Sequence, residues 1–477
     1  MRCLPSSRRN LHLSLHLILG KQMPQYTNRV STDVFVIPFL NRYLIYAPVR
    51  RAAFITNAAA INLLSRLGQG QVQPANEDEE NFLHLCREIR LIGEEGDSPI
   101  STFECDAFQP NEVTLFLTTR CNLRCVYCYA SAGERPLAEM SLETAKRGID
   151  FVCRNALERG KREFGVGYHG GGEPTMHWEV LTESFAYAQQ LARTNGIDVY
   201  GSMATNGVLS PEKQQWIIKN FRGVNLSVDG LPDVQDAQRP TPSGKPSSEA
   251  VLQTIRAFDA TSFPYGIRIT ATFTSVERLP QSVAYLLEHA HPKHIQVEPV
   301  YILGRGRVNG FAVDPLAFVE AFREGKKLAA QRGVDYYYSA ARVDVLTNHF
   351  CTSCGEGFSL TPQGLVSSCY EVPDPSFEFA DQFIFGQFDE TRARYAFDEE
   401  KLARLRAHTV ETIPWCQDCF CKWHCGGDCL YKSRHALVDG EFVGDPRCEI
   451  TRALTLDQIL GKISQSGGTV WAESHVR

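Results

Sequence analysis

The chain has 477 residues, 43% apolar and 22% charged, with a formal net charge of −6 at pH 7. At roughly 100–200 residues per domain this length predicts two to four domains with their own cores, and the composition excludes a disordered or collagen-like chain. The small net charge steers the protein towards neither nucleic acid nor acidic membranes, and no uninterrupted apolar run reaches the ~18 residues needed to cross a bilayer.

Residues 1–29 open with Arg2, Arg8 and Arg9 and continue through Leu11 to Gly20, an outline similar to a secretion signal. His12, Ser14 and His16 interrupt the apolar run and no small-x-small cleavage site follows, so the segment reads as a loose arm or an over-extended start ahead of Met23, with a targeting function as the other reading. In residues 30–110, Val34–Leu40, Tyr43–Tyr46 and Ala53–Thr56 predict strands, and Asn57–Leu67 predicts a helix ended by Gly68. A second helix is expected after the acidic stretch Glu77–Glu80. Three strands followed by helices resemble the winged-helix-type unit with which several peptide-modifying enzymes hold a leader peptide. The other reading is an extension that packs on the next domain.

Residues 111–310 alternate strand and helix, which predicts a mostly parallel sheet with covering helices. The candidate strands are Val113–Thr118, Gly165–His169, Val199–Thr205, Val224–Val228, Ile267–Thr272 and Ile295–Val300. Six βα units fit a partial (β/α)6 barrel, whose functional loops follow the carboxyl ends of the strands. Cys121–Cys128, Gly170–Thr175, Thr205–Gly207 and Ser227–Gly230 fall there and would ring one mouth. Residues 311–345, with a helix predicted from Pro315 to Arg332, bridge to a cysteine-rich region at 346–455. Residues 456–477 read as a C-terminal tail, loose from Ser464 onward.

The sixteen cysteines cluster. Cys121, Cys125 and Cys128 share one loop, nine more fall between Cys351 and Cys448, and Cys3, Cys86, Cys105 and Cys153 stand apart. Three thiolates after a strand are soft ligands of the kind that bind zinc or iron–sulfur clusters. A structural site wants four ligands, so three leave one coordination position open. The spacing Cys121-x3-Cys125-x2-Cys128, with Tyr127 before the last cysteine, resembles the radical S-adenosylmethionine (SAM) enzymes.

That resemblance implies a [4Fe–4S] cluster on Cys121, Cys125 and Cys128. The open iron would be chelated by SAM, and reductive cleavage would give a 5′-deoxyadenosyl radical that abstracts hydrogen. Tyr127 belongs to the cofactor-binding loop in this reading. Gly171, Gly172, Glu173 and Pro174 look like the family's glycine-glycine-glutamate-proline loop, where absent side chains let backbone approach a ligand and Glu173 can pair with an ammonium group. Ser227, Asp229 and Arg239 are expected at SAM by the same resemblance. Gly165, Gly167 and Gly170 satisfy a G-x-G-x-x-G pattern, but it lies within a strand and opens no helix, so a dinucleotide site is rejected.

Downstream, Cys354-x9-Gly364-x4-Cys369, then Cys416-x2-Cys419-x5-Cys425-x3-Cys429 and finally Cys448, match the seven-cysteine pattern of the SPASM extension. Cys351 adds an eighth thiol, and Cys421 stands outside the pattern. The resemblance implies one auxiliary cluster on Cys351, Cys354, Cys369 and Cys429 and a second on Cys416, Cys419, Cys425 and Cys448, for three [4Fe–4S] clusters in all. Spacing alone suits tetrahedral zinc equally well. Trp415 and Trp423 are expected to shield a cluster or to pack in the core.

The resemblance spans about residues 111–455 and implies a cytoplasmic enzyme that matures a ribosomally made peptide, through a crosslink or related modification. An external electron donor such as flavodoxin or ferredoxin is expected, with no nucleic acid and no membrane partner. The nearest rival is formylglycine formation of the anaerobic sulfatase-maturing type. There an aspartate adjoins an auxiliary-cluster cysteine, whereas here Cys369 is followed by Tyr370 and Glu371. A rival of another class is a non-catalytic zinc-binding interaction protein.

Overall fold

The computed structural model describes residues 21–22, 33–69, 73–92, 100, 107–309, 312–438, 441–442, 444–468 and 470–472. The expected N-terminal arm and its alternative start at Met23 lie outside these residues, apart from β1 at Lys21–Gln22.

The barrel strands are β5 (Glu112–Leu115), β6 (Glu163–Tyr168), β7 (Asp198–Thr205), β8 (Gly223–Ser227), β9 (Tyr265–Ala271) and β10 (His294–Pro299), all parallel in sequence order. Helices fill each crossover, and two of them begin on side-chain caps. Ser141 accepts from the Thr144 amide to start Leu142–Glu158, and Ser210 accepts from the Lys213 amide to start Pro211–Asn220. Gly196, at φ +66°, ends Trp178–Asn195 in the left-handed conformation that glycine adopts without penalty. Apolar residues on the outer faces of the strands, Val113, Val166, Leu226, Ile267 and Ile295 among them, are essentially inaccessible beneath these helices.

The sheet extends beyond the six expected strands on both sides. After the predicted helix, which runs Pro315–Gln331, β11 (Asp335–Tyr337) adds parallel to β10. At the other edge β12 (Ser359–Leu360) pairs parallel with β5. It is followed antiparallel by β13 (Leu365–Ser367), β14 (Ile384–Asp389) and β15 (Arg394–Phe397). The cysteine-rich region therefore continues the barrel sheet. It also carries the hairpin β16 (Leu437–Val438) and β17 (Glu441–Phe442) and the long helix Pro446–Gln465.

The N-terminal unit comprises β2 (Phe35–Phe39), β3 (Arg42–Ala47) and β4 (Ala52–Thr56), then helices Ala58–Gly68 and Glu77–Glu88. The acidic stretch is the first turn of the second helix rather than a prelude to it. Asn76 caps that helix by accepting from the Glu79 amide, and Glu77, Asp78, Glu79 and Glu80 sit where the helix dipole favours negative charge. One face of the sheet packs on its own helices. The other, through Phe35, Ile37, Leu44 and Tyr46, joins a core with Phe420, Cys421, Ile459, Ile463 and Trp471.

The expectation of a loose end from Ser464 is corrected here. The helix reaches Gln465, and β18 (Val470–Ala472) pairs antiparallel with β4, burying Trp471 to 4% exposure. Trp471 joins the core formed by Phe35, Ile459 and Ile463.

Candidate active site

The cysteine loop leaves β5 at the carboxyl-end mouth of the barrel and is fixed by backbone. The Arg124 amide donates to Pro240 O at 2.7 Å and the Val126 amide to Gln238 O at 2.9 Å. From the loop after β10, the Arg305 amide donates to Cys128 O at 3.1 Å and Arg305 Nε to Cys125 O at 2.8 Å. Cys121, Cys125 and Cys128 are thus held on one short loop. Burial pushes the Cys121 thiol up to about 12 and the Cys125 thiol to about 11, so free thiols stay protonated and metal binding must displace their protons. Polar groups point at the sulfurs: Asn206 Nδ2 lies 3.8 Å from Cys121 Sγ and Arg239 Nη1 lies 3.9 Å from Cys125 Sγ.

The glycine loop comes against this one closely. A Cβ on Gly172 would lie 2.2 Å from Arg120 O, and Gly171 has φ +63°, so the sequence must be glycine for the two loops to touch. Glu173 is 3% exposed and already occupied. Its Oε1 accepts from the hydroxyls of Thr175 and Thr205, each at 2.8 Å, and its Oε2 accepts from the Asn206 amide at 2.8 Å. It ties the ends of β6 and β7 together.

Asp229 is likewise a hub. It accepts from Tyr127 Oη at 2.5 Å, Gln238 Nε2 at 2.7 Å, Arg239 Nε at 2.8 Å and the Thr270 amide at 3.0 Å. Its role in the geometry is to hold Tyr127 and Arg239, the latter with its guanidinium 5.2 Å from the Tyr127 ring centroid. Ser227 ends β8 at the same mouth, half-buried. Arg239 and Asn206 thus reach the thiols, the Gly171–Gly172 turn packs on the backbone just ahead of Cys121, and Asp229 and Glu173 brace these groups.

The downstream cysteines fall into two groups by mutual influence. Burial raises Cys354, Cys369 and Cys429, and the charge of Cys351 adds to each. Burial also raises Cys425, with further contributions from Cys448, Cys416 and Cys419. Cys419 is lowered by its interaction with Cys421, which is completely buried and directed at Thr451 O at 3.9 Å. Trp415 stacks on Phe442 with ring centroids 4.7 Å apart, while Trp423 donates Nε1 to Asp33 at 2.9 Å. Asp33 also pairs with Lys422 at 2.6 Å, and Tyr46 bonds His424, so the N-terminal sheet grips the segment that carries Cys419 and Cys425.

Among the described residues no three His, Cys, Asp or Glu side chains converge closely enough to share one metal ion. Three soft thiols on one loop beside a glycine turn are the donor chemistry of an iron–sulfur cluster. A group that sequence reasoning missed is the buried set Arg447, Glu298 and Asp428. Arg447 Nη1 donates to Glu298 at 2.9 Å and Nε to Asp428 at 2.7 Å, joining β10 to the loop between Cys425 and Cys429. No spacing signal marks it.

Comparison with known proteins bears on this geometry. Residues 115–278 match the model of the Radical SAM superfamily. Mycofactocin maturase MftC of Mycobacterium tuberculosis is 31% identical over 180 residues, 37% of this chain and 41% of that protein. The cysteine-type anaerobic sulfatase-maturating enzyme of Clostridium perfringens is 21% identical over 328 residues, 65% of this chain and 85% of that protein. The solved structure of native anSMEcpe with bound AdoMet superposes with a TM-score of 0.58 at 16% identity, covering 73% of this chain and 98% of that one, which shows a shared fold. The chain spans about half the length of the first curated relatives it matches, 57%, 54% and 41% of them. No helix among the described residues is long and apolar enough to cross a membrane. This chain carries a radical SAM domain, in an α/β fold whose parallel sheet runs on into a cysteine-rich C-terminal region.

Proposed function

We propose that the chain is a radical SAM/SPASM maturase that abstracts hydrogen from a ribosomally made peptide, leading to a crosslink or related modification. The observation that carries this reading is the set of three thiols on one loop, with a glycine cradle against it and Arg239 directed at Cys125 Sγ. A [4Fe–4S] cluster with SAM supplies, when bound, the one-electron cleavage that yields a 5′-deoxyadenosyl radical. Cys121, Cys125 and Cys128 would hold that cluster, and Arg239 and Ser227 would orient SAM beside it. Asp229 keeps Arg239 and Tyr127 in place, and Glu173 keeps the glycine loop closed on the cysteine loop.

The two downstream groups, Cys351, Cys354, Cys369 and Cys429, and Cys416, Cys419, Cys425 and Cys448, would hold two further clusters that take up an electron or order the substrate. A small external electron carrier would reduce the first cluster, in a cytoplasmic setting where thiols stay reduced. The printed names of the relatives, a mycofactocin maturase and a sulfatase-maturating enzyme, support a peptide or protein substrate.

A second reading, formylglycine formation, is favoured by one observation. Glu371, two residues after Cys369, sits 3.5 Å from Lys432 with Oε1 and leaves a buried Oε2 without a partner. The test is anaerobic reconstitution with iron, sulfide, SAM and dithionite. The wild type should release 5′-deoxyadenosine, and replacement of Cys121, Cys125 and Cys128 by alanine should abolish it. Release from the triple variant would overturn the assignment. A cysteine-to-formylglycine change in an unstructured sulfatase-type peptide, lost in Glu371→Gln, would select the second reading.

A further inference from the structure

Strand register stacks the inward-facing residues of the barrel in layers. Ser227 of β8 lies opposite Arg268 of β9, which lies opposite Gln296 of β10. Arg268 sits between Ile267 and Ile269, which are 0% and 1% exposed in the outer core, so alternation turns it into the lumen. The next layer down, Asn225, Gly266 and His294, lines with Gly167, His169 and Ser202 a cavity of about 330 Å³. The space exists because Gly266 has no side chain: a Cβ there would fall 2.1 Å from His294 Nε2. Arg268 therefore stands between this cavity and the mouth, level with Ser227.

Two groups, Arg268 in the upper layer and His169 at the cavity, lack partners. The half-buried guanidinium of Arg268 makes no hydrogen bond or ion pair among the described residues, although it carries five N–H donors. Glu298, whose charge it feels, is already engaged: Oε2 accepts from Arg447 at 2.9 Å, and Oε1 accepts from Gln296 at 2.9 Å and the Ser339 amide at 3.1 Å. His169 is stacked on Tyr370 with ring centroids 4.8 Å apart, and its enclosed Nδ1 has no partner. Burial, and then the charge of Arg268, hold this imidazole neutral down to about 4.

We propose that Arg268 and His169 form a carboxylate-binding subsite in the barrel lumen, at which the substrate seats an acidic side chain or its C-terminal carboxylate. The proposal rests on the peptide-substrate reading above. Placement separates this subsite from the carboxylate of SAM. Arg239 and Arg305 are the guanidinium groups at Cys125, whereas the charge of Arg268 registers at His169, Glu298 and Tyr337.

The test uses the full chain, reconstituted anaerobically and saturated with SAM, and reads binding by calorimetry. The probes are Ac-Ala-Glu-Ala-NH2, Ac-Ala-Ala-Ala-OH, neutral Ac-Ala-Ala-Ala-NH2, and glutarate as a non-peptide acid. At least one acidic peptide should bind more tightly than the neutral one. Arg268→Gln should erase that preference by roughly 10- to 100-fold, and Arg268→Lys should restore part of it. Whichever acidic peptide binds identifies the source of the carboxylate. Iron content and circular dichroism verify that the variants are folded and loaded. No preference for acid in the wild type, an unchanged preference in Arg268→Gln, or a loss confined to SAM affinity would overturn the subsite. Glutarate binding that depends on Arg268, with no peptide bound, would keep the subsite and sink the peptide reading. Peptide binding indifferent to charge would do the reverse.

Discussion

Adding one methyl group at Gly172 tests whether the contact between the glycine loop and the cysteine loop builds the SAM site. In Gly172→Ala the new carbon would lie 2.2 Å from Arg120 O and 2.6 Å from Thr118 O, both backbone atoms that cannot rotate away. Real contacts of this kind essentially never fall under 3.0 Å, so the loops must part by about 0.8 Å. Misplacement on the order of 1 Å costs about 10²-fold where groups must be aligned, and the displaced strand end leads directly into Cys121. Gly171→Ala is the control. Its nearest neighbours are 3.5 and 3.6 Å away, so only the left-handed backbone at φ +63° opposes it, a cost of roughly 1–2 kcal/mol. Equilibrium dialysis of labelled SAM on anaerobically reconstituted protein should show a loss near 100-fold for Gly172→Ala and about 30-fold or less for Gly171→Ala. Wild-type affinity in Gly172→Ala, or the reverse order, would refute the reasoning.

Arg447→Met should leave Glu298 and Asp428 buried without their cation and cost roughly 3–5 kcal/mol in urea unfolding. The Glu298 carboxyl is held to about 2 against an ordinary 4.5, because Arg447, and then Arg268, outweigh the effect of burial. A depressed carboxyl stabilises above its unfolded value and loses that contribution as pH falls through the folded one. The penalty should therefore be largest above neutral pH and shrink as acid neutralises the stranded carboxyls, first Asp428, which burial pushes up to about 7, and then Glu298. Trp471→Ala should cost about 3–5 kcal/mol, where a loose tail would cost nothing. Removing residues 30–95 would expose Phe420, Ile459 and Ile463. It should strip iron from the Cys416–Cys448 set, as iron analysis would show, and a soluble product with full downstream iron would make the sheet dispensable.

The barrel was legible because each of its strands is an apolar run alternating with a covering helix. Periodicity placed all six within two residues at each end, save Val113–Thr118, which ends at Leu115 before the loop bends towards Cys121. The three thiols and the glycine loop were legible because their chemistry demands fixed spacing at strand ends. β11 was missed although Tyr336, Tyr337 and Tyr338 are good strand formers, since three residues give no period to read. That Glu173 and Asp229 also brace the site was not legible, because a carboxylate at a strand end shows no partners in the sequence. Only the structure shows Thr175, Thr205 and Asn206, or Tyr127, Gln238 and Arg239, already bonded to them. Long-range packing left no local trace. Asp33 lies nearly 400 positions from Trp423, and nothing in either neighbourhood announces that the N-terminal sheet would brace the cysteine-rich segment. Arg268 reads locally as one more charged residue in a strand, and its lack of a partner is visible only once the barrel is closed around it.

The most direct measurement is metal analysis of oxygen-free protein together with electron paramagnetic resonance of its reduced form, with and without SAM. The account predicts about twelve irons and as much sulfide per chain, as three cubanes require. It also predicts a signal that SAM perturbs and that disappears, with about four of those irons, when Cys121, Cys125 and Cys128 are replaced. Zinc at these cysteines, or a spectrum indifferent to SAM, would contradict it.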